Sequence, residues 1–259
     1  MRLRFLGTGT SFGVPVIGCR CQVCTSSDPR NRRSRHSLSL EKDGRVLLVD
    51  TPPELRLQLL SAGIAHVDAV LLTHVHADHV HGIDDLRIFS ARDGKATPLY
   101  IAREYAAELT SRFPYILDDS VQPDFGATSP EVSLGTFEDG ESLTIEGFSL
   151  QPLAFPHGQV RSYGFRIGGL GVVVDGKKIP AAALEVLRGV DVLVINALWW
   201  GNPHVTHFNV EEAIEAAQCI GARQTYLTHL THRLDHGELL ARLPGGVEPA
   251  FDGLVVDVD

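Results

Sequence analysis

The stretch "THVHADH" at residues 73–79 has the residue types and spacing of a metal-binding motif. Imidazole and carboxylate ligands together suit zinc, manganese or iron, and burying such groups together without a cation is costly. A single catalytic ion keeps one coordination position open, so it needs fewer protein ligands than this stretch offers. The motif therefore predicts two ions, which need further ligands and a bridging group. Its candidate ligands are His74, His76, Asp78 and His79.

Three more ligand-type residues stand at the ends of apparent strands. His157 follows the apolar run in "LAFPHG", Asp175 ends "GVVVD", and His229 ends "TYLTH". An α/β sheet places its functional site at the carboxyl ends of its strands. Each of the three taken alone is as compatible with a capping or surface position, but together they are candidates for the missing metal ligands.

A second cluster, "GCRCQVC" at 18–24, contains Cys19, Cys21 and Cys24, and the chain has four cysteines in all. A closed structural zinc site has four ligands in a tetrahedron, so three thiolates are an incomplete set. Reduced cysteines that cluster in this way read as metal ligands rather than disulfides. The alternative is an unpaired cysteine-rich loop, and we assign no role to Cys219.

Composition indicates an ordinary globular protein of 259 residues, with 44% hydrophobic and 21% charged residues. The formal net charge of −9 weighs against a long polyanionic partner, because nucleic-acid binding usually needs a basic face. No apolar run is long enough for a bilayer span, and the first residues lack a signal-peptide core, so we expect a cytoplasmic protein. The basic run "DPRNRRSRH" at 28–36 either attracts a substrate phosphate, through Arg32 and Arg33, or is a solvated loop.

The elements that must position these residues alternate between strand and helix. Both halves of the chain are mostly β followed by α, which predicts a four-layer αββα sandwich in a single domain, 1–259. Hydrophobic periodicity, proline and glycine predict strands at 2–7, 67–74, 171–175, 190–197 and 224–229, a hairpin at 37–50, short strands and turns at about 120–172, and helices at 52–63, 103–113, 180–189 and 209–221.

With these residues in place, the sequence resembles the metallo-β-lactamase superfamily, whose motif "THxHxDH" stands at 73–79. The resemblance is closer to its PhnP-like phosphodiesterases, which act on phosphoribosyl 1,2-cyclic phosphate. It extends over nearly the whole chain and is carried by "LGTGTSFGVPVIGCRCQVC" (6–24), "HVHGIDDLR" (79–87), "THFNVEEA" (206–213), "LTHLTH" (227–232) and "FDGL" (251–254).

The resemblance implies the αββα metallo-β-lactamase fold and a complete set of metal ligands. Two divalent ions, manganese or zinc, would occupy the active site, and one structural zinc would hold the N-terminal loop. The implied ligands are His74, His76 and His157 for one ion, Asp78, His79 and His229 for the second, Asp175 as the bridge, and Cys19, Cys21, Cys24 and His232 for the structural zinc. Asp50 and His81 would support these ligands from behind.

The implied reaction is hydrolysis of a small cyclic phosphodiester, 5-phospho-α-D-ribosyl 1,2-cyclic phosphate, to ribose 1,5-bisphosphate. Asp78 belongs to the catalytic set, and His207 is the candidate general acid, unless it only caps the helix beside Asn209. Arg87 is either a phosphate clamp or the partner of Asp84 or Asp85 in a salt bridge. The partner is thus a small phosphorylated substrate rather than nucleic acid or a membrane, and a homodimer is plausible by resemblance.

Other functions remain open on the sequence alone. The same ligands serve a tRNA 3′-end processing endonuclease, a thioester hydrolase or a non-catalytic metal-binding domain. Two departures from the superfamily pattern bear on the substrate: Asp175 precedes Gly-Lys rather than a small hydroxylic residue, and Asn196 stands where related sequences often have an acid. Trp199 and Trp200 either line the pocket or belong to the core.

Overall fold

The structure is a computed structural model that describes residues 1–118, 120–121 and 128–259. The predicted strands and turns at about 120–172 lie within these residues except at 122–127. The strands are β1 Arg2–Gly7, β2 Ser37–Lys42, β3 Arg45–Val49, β4 Ala69–Leu71, β5 Thr97–Ala102, β6 Val132–Phe137, β7 Leu143–Ile145, β8 Phe148–His157, β9 Val160–Ile167, β10 Leu170–Val173, β11 Val192–Asn196, β12 Gln224–Thr228, β13 Val247–Pro249 and β14 Val255–Asp257. The α-helices are α1 Leu55–Ala62, α2 Ala77–Val80, α3 Arg87–Asp93, α4 Ala106–Arg112, α5 Pro114–Leu117, α6 Ala181–Leu187, α7 Val210–Ile220 and α8 His236–Arg242.

The strands form two seven-stranded sheets of mirrored construction. The first has the order β14-β1-β2-β3-β4-β5-β6 and the second β13-β12-β11-β10-β9-β8-β7. In the first sheet β14 to β3 pair antiparallel and β3 to β6 parallel. In the second, β13 to β10 pair parallel and β10 to β7 antiparallel. Each sheet thus combines hairpins with helix-connected parallel strands, which confirms the predicted sandwich of two βα halves.

Alternation along buried strands separates the layers, because successive side chains of a strand point to opposite faces. On β11, Val192 and Val194 belong to the large core that fills the space between the sheets. Leu193 and Ile195 belong instead to a second core, beneath α6, α7 and α8. A strand covered on both faces reads as a continuous apolar run, which is how "VLVI" stands in the sequence.

Local signals account for most element boundaries. The β2–β3 hairpin turns at Asp43 and Gly44, which have φ of 51° and 75°, as a two-residue turn of this hand requires. Helix α1 ends at Gly63, in the left-handed conformation predicted for a helix C-terminus. Helix α7 begins with a capping box in which Asn209 and Glu212 exchange hydrogen bonds with each other's backbone.

The structure refines several predicted spans. The strand predicted at 67–74 is only Ala69–Leu71, so the ligand motif starts in a loop. The helix predicted at 103–113 begins as a 3-10 turn at Arg103–Tyr105. Helices α2, α3, α5 and α8 were not predicted. Among the helices of the described residues, none has both the length and the apolar character needed to cross a bilayer.

Candidate active site

Four strands deliver the predicted ligands to one edge of the sandwich. His74 lies beyond β4, His157 ends β8, Asp175 lies just beyond β10, and His229 follows β12. The parallel pairing of β10, β11 and β12 aligns the last two strand ends, since the carboxyl ends of parallel strands meet at one edge. The predicted convergence of these side chains is therefore a product of strand register.

The first ligand group is composed of His74, His76, His157 and Asp175, whose donor atoms lie within 4.8 Å of one another. His76 Nδ1 is 2.9 Å from His74 Nε2 and 3.2 Å from His157 Nε2. Asp175 Oδ2 lies 3.6 Å from His74 Nε2 and 3.8 Å from His157 Nε2. Separations of this size are those of ligands that share one cation at about 2.0–2.2 Å.

The second group is composed of Asp78, His79 and His229. Asp175 also touches this group: its Oδ2 is 3.2 Å from His79 Nε2 and its Oδ1 is 3.1 Å from His229 Nε2. One carboxylate therefore faces both groups, one oxygen reaching each of two imidazoles. This is the position that the resemblance implies for the bridging ligand.

Hydrogen bonds fix which imidazole nitrogen faces the centre. His79 Nδ1 donates to Asp50 Oδ2 at 2.6 Å, and His157 Nδ1 donates to the carbonyl of Thr206 at 3.2 Å. The Thr73 hydroxyl lies 3.0 Å from Asp50 Oδ2 and 2.9 Å from His74 Nδ1, so it can donate to the first and accept from the second. The Nε2 atoms of these histidines then carry the lone pairs that a metal takes.

Unpartnered atoms at the centre fit a cation. Among the described residues, His79 Nε2, Asp175 Oδ1, His207 Nε2 and both ring nitrogens of His229 are buried without a hydrogen-bond partner. Buried polar atoms are normally paired, and electron-pair donors that face one another at close range need positive charge between them. The residues present therefore fit the divalent metal ions that the motif predicts.

Electrostatics within the cluster are strongly coupled. Burial alone would lower the pKa of His79, but the surrounding carboxylates, Asp50 foremost, raise it well above its ordinary value. Burial opposes ionisation of Asp175, yet His229 and His79 hold its pKa well below its ordinary value. Burial lowers the pKa of His229 to about 4. An ionised carboxylate beside neutral imidazole is the ligand state that a divalent metal requires.

Backbone strain concentrates at the same place. Asp50, Asp175 and His229 have φ of 63°, 57° and 57°, in the left-handed region that residues with a Cβ seldom occupy. Each follows directly on, or close behind, the end of a strand. A sharp turn at each position aims the side chain along the sheet edge rather than to one face, which is a pattern typical of functional sites.

The cysteine cluster acquires its fourth member in the fold. Cys19, Cys21, Cys24 and His232 form one group, with sulfur-to-His232 Nδ1 distances of 3.3, 3.5 and 3.6 Å. A backbone hydrogen bond from Cys24 lowers the pKa of the Cys21 thiol to about 6, whereas burial raises that of Cys24 to about 11. The arrangement has the composition of a closed Cys₃His zinc site.

Arg33, in the basic run at 28–36, fits neither interpretation of that run. It neither faces a substrate phosphate nor lies in a solvated loop. Its side chain is 1% exposed and donates to the carbonyls of Thr231 and Leu234, at 2.7 Å each. A guanidinium presents several donors in a rigid plane, so it can bind two carbonyls of one loop. Arg33 thus holds the segment that carries His232, and it is not available to a substrate phosphate.

His207 lies beside the bridging carboxylate, with Nε2 3.5 Å from Asp175 Oδ2. Asp175, His207 and His229 form a further group whose donor atoms are within 4.8 Å. The Thr206 hydroxyl lies 2.7 Å from His207 Nδ1 and 3.1 Å from His204 Nδ1. The helix cap is supplied by Asn209 itself, so the alternative in which His207 only caps the helix is wrong.

Two predicted site residues lie outside the cluster. Arg87 donates to Asp84 at 2.6 Å and to Thr128 Oγ1 at 3.2 Å, which is the salt-bridge alternative rather than the phosphate clamp. His81 is exposed, and its ring packs edge-on against Phe113. Residues two apart on a helix do not share a face, so α2 directs His79 inward and its neighbour His81 outward.

Two residues, Asn196 and His36, support the site but were given no such role from the sequence. Asn196 Oδ1 accepts from the backbone N–H of Gly176 at 2.8 Å, which explains a buried amide beside the bridging Asp175. His36 is buried, with Nδ1 3.2 Å from Thr228 Oγ1 and its ring 6.1 Å from that of His79. The sequence marked Asn196 only as a departure from the superfamily pattern, where related sequences often have an acid, and His36 carried no signal.

Comparison with known proteins agrees with this geometry. The family model of the beta-lactamase superfamily domain matches residues 45–230. A solved structure, described as a new diphosphatase from the PhnP family, is 38% identical and superposes with a TM-score of 0.90, over 100% of this chain and 98% of that one.

Two curated relatives extend the comparison. An octanoyltransferase of Porphyromonas gingivalis is 35% identical over 261 residues, and the chain, matched over 100% of its length, spans 52% of that protein. A ribonuclease Z of Anoxybacillus flavithermus is 25% identical over 319 residues, which cover 100% of this chain and 96% of the relative. The extent of the family match and the identity to the PhnP-family structure are sufficient to assign membership. The chain belongs to the β-lactamase superfamily, as a PhnP-like, metal-dependent hydrolase.

Proposed function

We propose that the protein is a dinuclear-metal phosphodiesterase that hydrolyses a small cyclic phosphodiester, most of all 5-phospho-α-D-ribosyl 1,2-cyclic phosphate. The observation that carries the proposal is the position of Asp175 between the two ligand groups. Its carboxylate oxygens lie 3.6 and 3.8 Å from the first group, at His74 and His157, and 3.2 and 3.1 Å from the second, at His79 and His229. Two ions placed on either side of a shared carboxylate would activate water and neutralise charge on a phosphate. The similarity to a PhnP-family diphosphatase supports phosphorus as the reacting atom.

In this proposal the first ion is held by His74, His76 and His157 and the second by Asp78, His79 and His229. The ions are manganese or zinc, since imidazole and carboxylate accept either. Asp50 keeps the Nδ1 proton of His79 in place, so the Nε2 lone pair stays directed at the centre. The cysteine group holds a structural zinc.

His207 is the proposed general acid. Its Nε2 points at the centre, where a proton on this atom can reach the leaving alkoxide. The Thr206 hydroxyl contacts Nδ1 and so fixes the ring orientation. The Thr206 hydroxyl can donate to His204 Nδ1 and accept from His207 Nδ1, so the His207 ring that gives up its Nε2 proton keeps its Nδ1 proton and ends as neutral imidazole.

A diphosphate linkage is the second candidate substrate, favoured by the 38% identical PhnP-family structure, which is described as a diphosphatase. Ribonuclease Z activity has less support. The segment between His157 and Asp175 is occupied by β9 and β10, which leaves no room for an inserted RNA-binding arm there, and the net charge of −9 opposes polyanion binding.

The test is a side-by-side rate assay of metal-loaded protein. The substrates are 5-phosphoribosyl 1,2-cyclic phosphate, a 2′,3′-cyclic nucleotide, ADP-ribose as a diphosphate, and bis(4-nitrophenyl) phosphate. We expect kcat/KM for the ribosyl cyclic phosphate to exceed the others by at least about 100-fold, and Asp175→Asn to abolish every activity. Preference for ADP-ribose would replace the cyclic substrate by a diphosphate, and metal-loaded protein inactive on all four would refute the proposal.

A further inference from the structure

Beside the proposed acid, a row of three side chains leads out of the centre. The ring of His204 lies 5.3 Å from that of His207, and the Trp199 ring meets His204 edge-on at 5.5 Å. The guanidinium of Arg233 stacks on the other side, with Cζ 4.6 Å from the Trp199 ring centroid. We call His204, Trp199 and Arg233 the outer row. It is continuous with His207 yet uses no residue of the three metal-ligand sets proposed above.

The backbone on both sides of the outer row is held by hydrogen bonds, although the Arg233 side chain is exposed. The Thr231 hydroxyl donates to the carbonyl of Leu198 at 2.7 Å, which ties the loop of Arg233 to the residue before Trp199. Trp199 Nε1 donates to the carbonyl of Asn202 at 2.8 Å. Arg33 binds the carbonyls on both sides of Arg233, at Thr231 and Leu234. The loop that carries Arg233 is therefore held in place, and the guanidinium rests on the Trp199 ring while the rest of the side chain is exposed.

The charge at the exposed edge of the Arg233 guanidinium indicates which class of ligand it can bind. Arg233 is exposed and, within the described residues, forms no ion pair with a carboxylate, in a chain of net charge −9. The guanidinium covers one face of the Trp199 indole, so a nucleobase cannot stack on that face without displacing the guanidinium. The N–H groups of the guanidinium remain free to donate to a planar or tetrahedral oxyanion. His204 adds a second donor: the backbone N–H of Thr206 points at its Nδ1, which leaves the proton of the neutral ring on Nε2.

We propose that the outer row is the subsite for a second phosphate of the substrate, bound by Arg233 and oriented by Trp199 and His204. This inference rests on the proposed function and deepens it, since it restricts substrates to phosphodiesters or diphosphates that carry a further phosphate group beyond the scissile one. Trp199, His204 and His207 separate Arg233 from the reacting centre. Arg233 therefore determines substrate specificity and takes no part in the chemical step.

The test compares Arg233→Ala and Arg233→Lys with Arg242→Ala. Arg242 is a matched control, since its Cζ lies 4.3 Å from the ring of Trp200, whose other contacts are with the core under α8. We expect Arg233→Ala to raise KM for 5-phosphoribosyl 1,2-cyclic phosphate, which carries a phosphate beyond the scissile one, at least about tenfold. Its kcat, and all constants for bis(4-nitrophenyl) phosphate, should stay within about twofold. Arg233→Lys should recover part of the loss, and Arg242→Ala should change nothing.

Calorimetric binding of ribose 5-phosphate to metal-loaded protein is the readout that needs no turnover. Arg233→Ala should weaken this binding at least about tenfold, while ribose without phosphate gives no binding to either protein. The subsite would be overturned if Arg233→Ala impaired hydrolysis of 5-phosphoribosyl 1,2-cyclic phosphate and bis(4-nitrophenyl) phosphate equally, or left binding of ribose 5-phosphate unchanged. If wild-type protein hydrolyses no phosphodiester, the proposed function fails, and the binding comparison still decides the inference.

Discussion

Hydrogen bonds to His74, His79 and His157 decide which ring nitrogen of each faces the centre. Asp50 is 0% exposed and accepts hydrogen bonds from His79 and from both donors of Thr73. Partners of this kind orient metal ligands and raise their basicity, so their loss is expressed as lost metal affinity rather than lost fold. Thr73 also orients a metal ligand, because its hydroxyl contacts both Asp50 and His74. A threonine, however, carries no signal of metal binding in a sequence.

The first prediction concerns Asp50. Asp50→Asn keeps the shape of the side chain but removes the charge that holds the His79 Nδ1 proton, so we expect active-site metal affinity to fall 10- to 100-fold, in the range typical of such partners. Competition against a fluorescent chelator measures the change. Asp43→Asn, in the exposed β2–β3 turn, is the control. Equal affinity in Asp50→Asn and wild type would show that Asp50 is only a packing residue.

The second prediction separates acid catalysis by His207 from metal binding. His207→Ala should slow substrates with alkoxide leaving groups by about 100-fold or more, because general acid catalysis contributes that much. Bis(4-nitrophenyl) phosphate, whose leaving group needs no proton, should be slowed by less than about tenfold. The measurement is kcat on both substrates, with metal content checked, and His81→Ala serves as the control. Equal slowing with loss of metal would make His207 a ligand instead.

The third prediction is a pH dependence of stability from His236, which begins α8. Its ring is 3% exposed and packs on Phe251, and burial lowers its pKa from 6.5 to about 4. Between these values the unfolded chain binds the proton and the folded chain does not, so stability rises with pH. On going from pH 7 to pH 5, His236 should cost the folded state about 2 kcal/mol.

Urea unfolding at the two pH values measures this contribution of His236. His236→Phe removes the titrating group and keeps a ring against Phe251, so the variant should lose about 2 kcal/mol less than wild type between pH 7 and pH 5. The other buried histidines contribute equally to the pH dependence of the free energy of unfolding in both proteins, so their contributions cancel when the two proteins are compared. Identical pH dependence in the two proteins would contradict the prediction.

Helix α7 contributes no metal ligand, but its first turn connects two loops of the site. Its cap residue Asn209 bonds to Glu212, and Glu212 also pairs with Lys177 at 2.6 Å, two residues after Asp175. The start of this helix thus fixes the loop of His207 and the loop of the bridging carboxylate together. The Lys that departs from the superfamily pattern at this position has its partner on α7.

The fourth prediction follows from this double connection. Asn209→Ala should destabilise the protein by about 1 kcal/mol, the usual value of a lost cap, and should also lower kcat, because the loop of His207 loses its anchor. Gln218→Ala, at an exposed position of the same helix, should do neither. Thermal unfolding and turnover of 5-phosphoribosyl 1,2-cyclic phosphate, whose alkoxide leaving group needs the acid, measure the two effects. A stability loss without any change in kcat would separate the cap from the site.

Strand ends and short motifs were predictable because their signals are local. The run "VLVI" shows burial on both faces, and the spacing of 73–79 shows its chemistry, without knowledge of any distant residue. Arg33 could not be placed in this way: it bonds to Thr231 and Leu234, about two hundred residues away, and its neighbours in sequence are polar and look solvated. The stack of Arg233 on Trp199 was invisible for the same reason, since only the fold brings residues of two loops together.

For the whole molecule, the cysteine group is a cross-link between the first loop and the last catalytic strand. His229 and His232 stand on one short segment but belong to different ligand groups. A metal at the cysteine group would therefore hold the segment of His229, as well as that of Arg233, in register with the N-terminal loop.

The fifth prediction tests that cross-link. Cys24→Ser should remove one zinc per chain and lower the free energy of unfolding by about 4 kcal/mol, as expected when a cross-link that closes a long loop is lost. Metal analysis and thermal unfolding measure both changes. The exposed Cys219→Ser is the matched control and should change neither. Retention of the zinc in Cys24→Ser would exclude a Cys₃His site.

The distribution of ligands along the chain has a consequence for biosynthesis. Each candidate metal group in the described part of the chain requires a residue from the second half: Asp175 completes the first, His229 the second and His232 the cysteine group. A nascent chain that has emerged only as far as α5 displays the histidine motif and all three loop cysteines, yet none of these groups is complete. A metal that needs a complete ligand group would therefore bind first at the group completed by Asp175, and only after β12 at the other two groups.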